Sequence, residues 1–96
     1  MQITKLDKRH AGREDFAYYV TVDRKTQRLA REEFITWRLW CEEQWGKGIE
    51  LSWVYILKDQ GYNIKWAWVT DAEVAGTLPR IYLRGDEEMT LFKLRW

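Results

Sequence analysis

The clearest alternation of apolar and polar positions is at Phe16, Tyr18, Val20 and Val22, interleaved with Ala17, Tyr19 and Thr21. A period of two sets the first group on one face of a β-strand. Ahead of it, residues 1–14 have two readings: an edge strand over 2–8 that turns back through Ala11-Gly12-Arg13 into a hairpin, or a loose basic arm. After a polar break at residues 23–28 the period changes. From about Leu29 to Trp45, Ala30, Phe34, Trp37, Cys41 and Trp45 fall within a sector of roughly 80° at helical spacing. That is a core-facing stripe on a long helix, stopped by Gly46. Ile35 and Leu39, one turn apart, point the opposite way among Arg31, Glu32 and Glu42, and Trp40 lies at the rim of the main stripe.

Beyond Lys47-Gly48 the pattern reads as strands again. Residues 51–57 and 62–70 are rich in β-branched and aromatic side chains, with Asp59-Gln60-Gly61 between them as a hairpin turn. Residues 71–76 form either one helical turn or a loop. Residues 80–84, after Pro79, make a further strand. Asp86-Glu87-Glu88 has the cap and acidic first turn of a helix, expected over 86–92. Phe92, Leu94 and Trp96 alternate with Lys93 and Arg95, so an extended tail follows. The expected fold is α+β: a mostly antiparallel sheet of four or five strands, one long helix packed on one face, and a short C-terminal helix. A true helix at 71–76 would bring the pattern close to a truncated ferredoxin-like unit.

Composition sharpens this without changing it. The 96 residues suit a single globular domain spanning 1–96, with room for one core. Seven tryptophans in so short a chain mean an aromatic core, an aromatic binding face, or both. No apolar run approaches the ~18 residues of a membrane span, and residues 1–9 lack the apolar stretch of a signal peptide. A soluble, cytoplasmic protein without a membrane partner is therefore expected, and the lone Cys41, which has no disulfide partner in the chain, fits a reducing compartment. The net charge is +1, yet residues 1–31 hold eight Lys/Arg against four acids (net +4) and residues 32–96 hold eight against eleven (net −3).

Candidate chemistry is sparse. Cys41 sits on the apolar stripe between Trp37 and Trp45, where a buried structural thiol is a better reading than a nucleophile needing a base and solvent access. One Cys and one His (His10) cannot build a zinc site. The pairs Glu32-Glu33, Glu42-Glu43 and Glu87-Glu88 diverge around helices, as solvated faces do. No phosphate-binding loop or catalytic triad sequence is present, so neither a cofactor nor a metal is expected, and an enzyme is not indicated.

Two binding readings remain. In one, Tyr19, Tyr55, Tyr62, Tyr82, Trp53, Trp66 and Trp68 offer a sheet platform for unpaired bases, with Lys65, Arg80 and Arg84 on phosphates. Near-zero net charge argues against strong non-specific affinity. In the other, the helix is apolar on two faces and its outer patch contacts a protein. Contacts are then expected at Ile35, Leu39 and Trp40, with Arg24, Lys25, Arg28 and Arg31 as an electrostatic rim, and homodimerisation through Ile35 and Leu39 is the simplest form.

The segment from Phe34 to Gly46, with its Trp40-Cys41 pair and Trp45-Gly46, together with Ile81-Tyr82-Leu83 and the closing Leu91-Phe92-Lys93-Leu94-Arg95-Trp96, resembles short proteins encoded by tailed bacteriophages. The resemblance covers about half the chain and carries no functional motif. It implies an origin more than an activity: a small protein that binds a host enzyme or defence complex in the host cytoplasm, or an accessory virion component. The expected function is a small non-enzymatic protein-interaction module, with single-stranded nucleic-acid binding as the alternative.

Overall fold

A computed structural model describes residues 1–22, 27–70 and 79–96. The alternation expected over 16–22 is confined to strand β2 (Tyr18–Thr21): Phe16 precedes the strand and packs on the opposite face from Tyr18, Val20 and Val22. The earlier residues form β1 (Gln2–Lys5), which pairs antiparallel with β2. The long helix α1 spans Gln27–Trp45. A two-residue strand β3 (Ile49–Glu50), a 3-10 turn (Leu51–Trp53) and a short helix α2 (Val54–Asp59) follow. Strands β4 (Trp66–Val69) and β5 (Arg80–Leu83) then lead to the C-terminal helix α3 (Asp86–Arg95). The five strands lie in the order β1-β2-β5-β4-β3, antiparallel throughout except for the β3–β4 pair. The fold is α+β, a mostly antiparallel sheet with one long helix and a short C-terminal helix.

Register decides which side chains share a face. Tyr18, Leu83 and Trp66 are cross-strand neighbours, as are Val20, Ile81 and Trp68. This face packs under α1 and α3, so Val20, Ile81, Leu83 and Trp66 join Ala30, Phe34, Trp37, Cys41, Met89 and Phe92 in one buried cluster. The stripe seen in the sequence is the buried side of α1. The opposite face, with Tyr82, Ala67 and Val69, is covered by Leu6 and Phe16 from the N-terminal loop and by Val54 and Ile64. Both faces of the sheet are therefore occupied, which lets a short chain bury large aromatic rings on two sides.

Between α1 and β3 the chain turns tightly. Gly46 has φ +83, a conformation that favours glycine, and its N–H donates to Glu42 O at 2.9 Å, closing the helix. Trp66 Nε1 donates to Gly46 O at 2.9 Å. Its indole lies so close to Gly48 that a Cβ there would stand 2.4 Å from two ring carbons.

Four expectations in the second half of the chain are corrected. Residues 51–57 are not a strand: Leu51, Val54 and Leu57, three apart, turn toward the sheet, with Val54 buried and the other two packed against its cluster. The run Trp53-Val54-Tyr55-Ile56-Leu57 is apolar at nearly every position, so no period separates strand from helix, and packing overrides β propensity. Asp59-Gln60-Gly61 is accordingly the end of α2 and not a hairpin turn, with Gly61 N–H donating to Lys58 O at 2.9 Å, and the strand expected over 62–70 is confined to β4. The extended tail is also helical. α3 runs to Arg95, and Trp96 N–H donates to Phe92 O at 3.0 Å. Residues 71–76, on which the ferredoxin-like comparison depended, lie outside the described residues. Among the described residues no helix is long and apolar enough to cross a membrane.

Candidate interaction surface

The outward side of α1 carries the residues the helical spacing singled out. With Ala30, Phe34, Trp37 and Cys41 turned into the core, Ile35 and Leu39 stand on the outer side at 46% and 62% exposure, one turn apart. Charged side chains flank them. Arg28 and Arg31 are exposed near the start of the helix, and Glu42 and Glu43 are exposed in its last turn. Arg28 Nε donates to Glu32 Oε1 at 3.2 Å, one turn on. The first turn holds no acid and the last turn no base. This is the reverse of what the helix dipole favours, since it prefers anions at the N-terminus and cations at the C-terminus.

Trp40 belongs elsewhere. Its ring is half-buried on the flank facing α3, edge-on to Trp45 (5.2 Å between centroids), Phe92 (5.7 Å) and Trp96 (6.2 Å). Such edge-to-face pairs each add about 0.5–1.5 kcal/mol beyond area burial. The ring fastens α3 to α1, and the structure does not bring it together with Ile35 and Leu39. Arg24 and Lys25 lie outside the described residues. On the other flank the guanidinium of Arg38 lies 3.9 Å from the Trp68 ring centroid; burial holds its pKa below the ordinary arginine value.

The sheet offers no open aromatic platform at the rings the base-stacking reading required. Trp66 and Tyr82 are buried, Trp68 lies beneath Arg38, and Tyr19 packs between His10 and Arg80. Trp53, Tyr55 and Tyr62 are exposed but belong to no strand. Arg80 sits 4.2 Å from the Tyr19 centroid and donates through Nη1 to the Tyr82 hydroxyl at 3.3 Å. Arg84 donates through Nη1 to Asn63 Oδ1 and to Ile64 O, leaving the two arginines engaged within the fold.

Cys41 and His10 are on opposite sides of the sheet, Cys41 on the buried side of α1 and His10 edge-on to Tyr19 at 5.9 Å. Burial pushes the Cys41 thiol up to about 12, leaving it protonated and unreactive at neutral pH. His10 Nδ1 accepts the Asp7 backbone N–H at 3.0 Å. Its equal distance from Asp7 Oδ1 is consequently not an ion pair while the ring is neutral. Among the described residues no group of three or more His, Cys, Asp or Glu side chains is placed to hold a metal.

Sequence reading missed an open groove of about 780 Å³ on the face away from α1, lined by Lys8, His10, Arg13, Glu50, Tyr55 and others. It lies between the N-terminal loop and the 3-10 turn that leads into α2, and Lys58 Nζ of α2 meets Asp15 Oδ1 of the loop at 2.6 Å. Its lining joins residues some forty positions apart, so no local pattern announces it. Cations and carboxylates are mixed along it, and they converge on no single ligand charge.

No family model matches the chain, and neither the curated proteins nor the solved structures compared with it yield a match.

Proposed function

We propose that this chain is a small protein-interaction module whose contact surface is the outward face of α1. One observation carries the reading: two large aliphatic side chains, Ile35 and Leu39, stand exposed and adjacent on the longest helix, while both faces of the sheet are covered. Burying such a pair against a partner is worth about 1.5–3 kcal/mol per side chain. Charged neighbours supply the polar rim that surrounds interface centres. Arg28 and Arg31 belong to that rim; Trp40 supports it from behind by fixing α3. The resemblance to short tailed-phage proteins suggests that the partner is met inside an infected host.

The test is the double substitution Ile35→Asp with Leu39→Asp. Both sites are exposed, so the variant should fold, with an unchanged circular dichroism spectrum, and should lose the proteins that nuclease-treated wild type captures from host lysate. Unfolding of the variant, or an unchanged set of captured proteins, removes this surface. Saturable binding of labelled single-stranded oligonucleotides at low salt, weakening steeply as salt rises, would favour the nucleic-acid reading instead.

A further inference from the structure

The charge pattern along the exposed face of α1 fits a second copy of itself. At 100° per residue, Arg28, Arg31, Glu32, Ile35, Leu39, Glu42 and Glu43 share one sector about 120° wide. Along the axis this face begins with two arginines and Glu32, with which Arg28 pairs, has its apolar pair in the middle, and ends with two glutamates. We infer that α1 pairs antiparallel with α1 of a second copy about a two-fold axis level with the midpoint of Ile35 and Leu39. This rests on the reading of that face as a contact surface and names its partner.

An isologous contact of this kind sets each residue against its counterpart across the axis. Ile35 comes opposite Leu39 of the partner copy. Arg31 comes level with Glu42 and Glu43 of the partner copy, and Arg28 is only about 4.5 Å further along the axis at 1.5 Å per residue. Glu32 approaches Glu43 of the partner copy, and Arg28, already bonded to Glu32, lies where it neutralises both. A parallel pair would instead set arginine against arginine and glutamate against glutamate. Antiparallel pairing also brings the N-terminus of each helix beside the C-terminus of the other. The charges that oppose the dipole of an isolated α1 then face the opposite end of a neighbouring helix. A contact along one helix 19 residues long is smaller than a standard interface, so the dissociation constant should be on the order of micromolar.

Sedimentation equilibrium of the purified chain across that concentration range, at low salt, tests this. Wild type should show a reversible monomer–dimer equilibrium. Arg28→Glu with Arg31→Glu should weaken it roughly tenfold or more, as should Glu42→Arg with Glu43→Arg, because exposed pairs at both ends turn from attraction to repulsion. Combining all four substitutions in one chain should restore the wild-type constant. Circular dichroism should show every variant folded, and an unfolded variant would make these residues structural and overturn the inference. A monomer at every concentration, half-variants that dimerise like wild type, or no recovery on combination would each overturn it too. The two proposals fail differently. If wild type is monomeric while lysate capture still depends on Ile35 and Leu39, only the self-pairing falls. If a dimer persists in the Ile35→Asp, Leu39→Asp variant and capture is unchanged, both fall.

Discussion

Replacing Gly48 by alanine tests how closely the turn after α1 is moulded around Trp66. An added Cβ would meet Trp66 Cε2 and Cζ2 at 2.4 Å and Cδ2 at 2.8 Å, against ordinary carbon contacts of about 3.5–4.0 Å. More than an ångström of overlap must be relieved by moving either β3 or the indole. The indole is 2% exposed, and its N–H is held by Gly46 O at 2.9 Å. Overpacking costs about 1–3 kcal/mol, and loss of the indole hydrogen bond adds about 1 kcal/mol. The expected loss is therefore ~2–4 kcal/mol, or a Tm lower by ~10–25 °C for a domain of this size. Urea unfolding with an unchanged m-value reads it directly. The same substitution made beside Trp66→Leu should cost less than ~1 kcal/mol, because the colliding ring is gone. A loss below ~0.5 kcal/mol in the wild-type background, or an equal loss in both backgrounds, would show that the Trp66 ring does not limit the side chain at position 48.

Phe92→Ala, at a fully buried site beneath Trp37 and Trp40, should cost about 3–5 kcal/mol. Leu94→Asp, at a site 80% exposed, should stay within ~0.5 kcal/mol by thermal melting; equal effects would argue for the extended tail. Cys41 should resist thiol reagents at pH 8 until the protein unfolds. Because its thiol rises from 9.0 to about 12 on folding, the unfolded chain loses the proton first. Stability is then unaffected by this group below pH 9 and falls as pH climbs from about 9 toward about 12; a thiol that reacts rapidly at pH 8 would contradict its burial. Asp7 is held down to about 2, chiefly by its hydrogen bond from the Arg9 side chain. NMR titration of Arg9→Ala should return it toward the ordinary aspartate range, and an unmoved value would assign the shift elsewhere.

Much of the architecture was legible because periodicity and burial coincide. The alternation of Tyr18 and Val20 with Tyr19 set the strand faces, and Ala30, Phe34, Trp37 and Cys41 marked the side of α1 that is buried. Ile35 and Leu39 were legible for the same reason, being what remains when that side is turned inward. Illegibility has equally physical causes. Phe92 and Trp96 are two strand steps apart and also one helical turn apart, so the same residues satisfy either period. The 51–57 run has too few polar positions to show any period at all. β3 is two residues held by pairing with β4, a tertiary fact with no local signature. Trp40 looked like part of a contact face because its flank is visible in the sequence, whereas the docking of the C-terminal helix on that flank is a tertiary contact that no local pattern announces.

Whether the outward face of α1 touches other proteins is read by a photoreactive amino acid placed at Leu39 and compared with one at Tyr62, an equally exposed position outside α1. Irradiated in the cells that express the chain, the probe at 39 should form discrete protein adducts, including a crosslinked dimer of the chain, and the probe at 62 should not. The same protein adducts from both positions, or adducts from neither, would contradict such a contact.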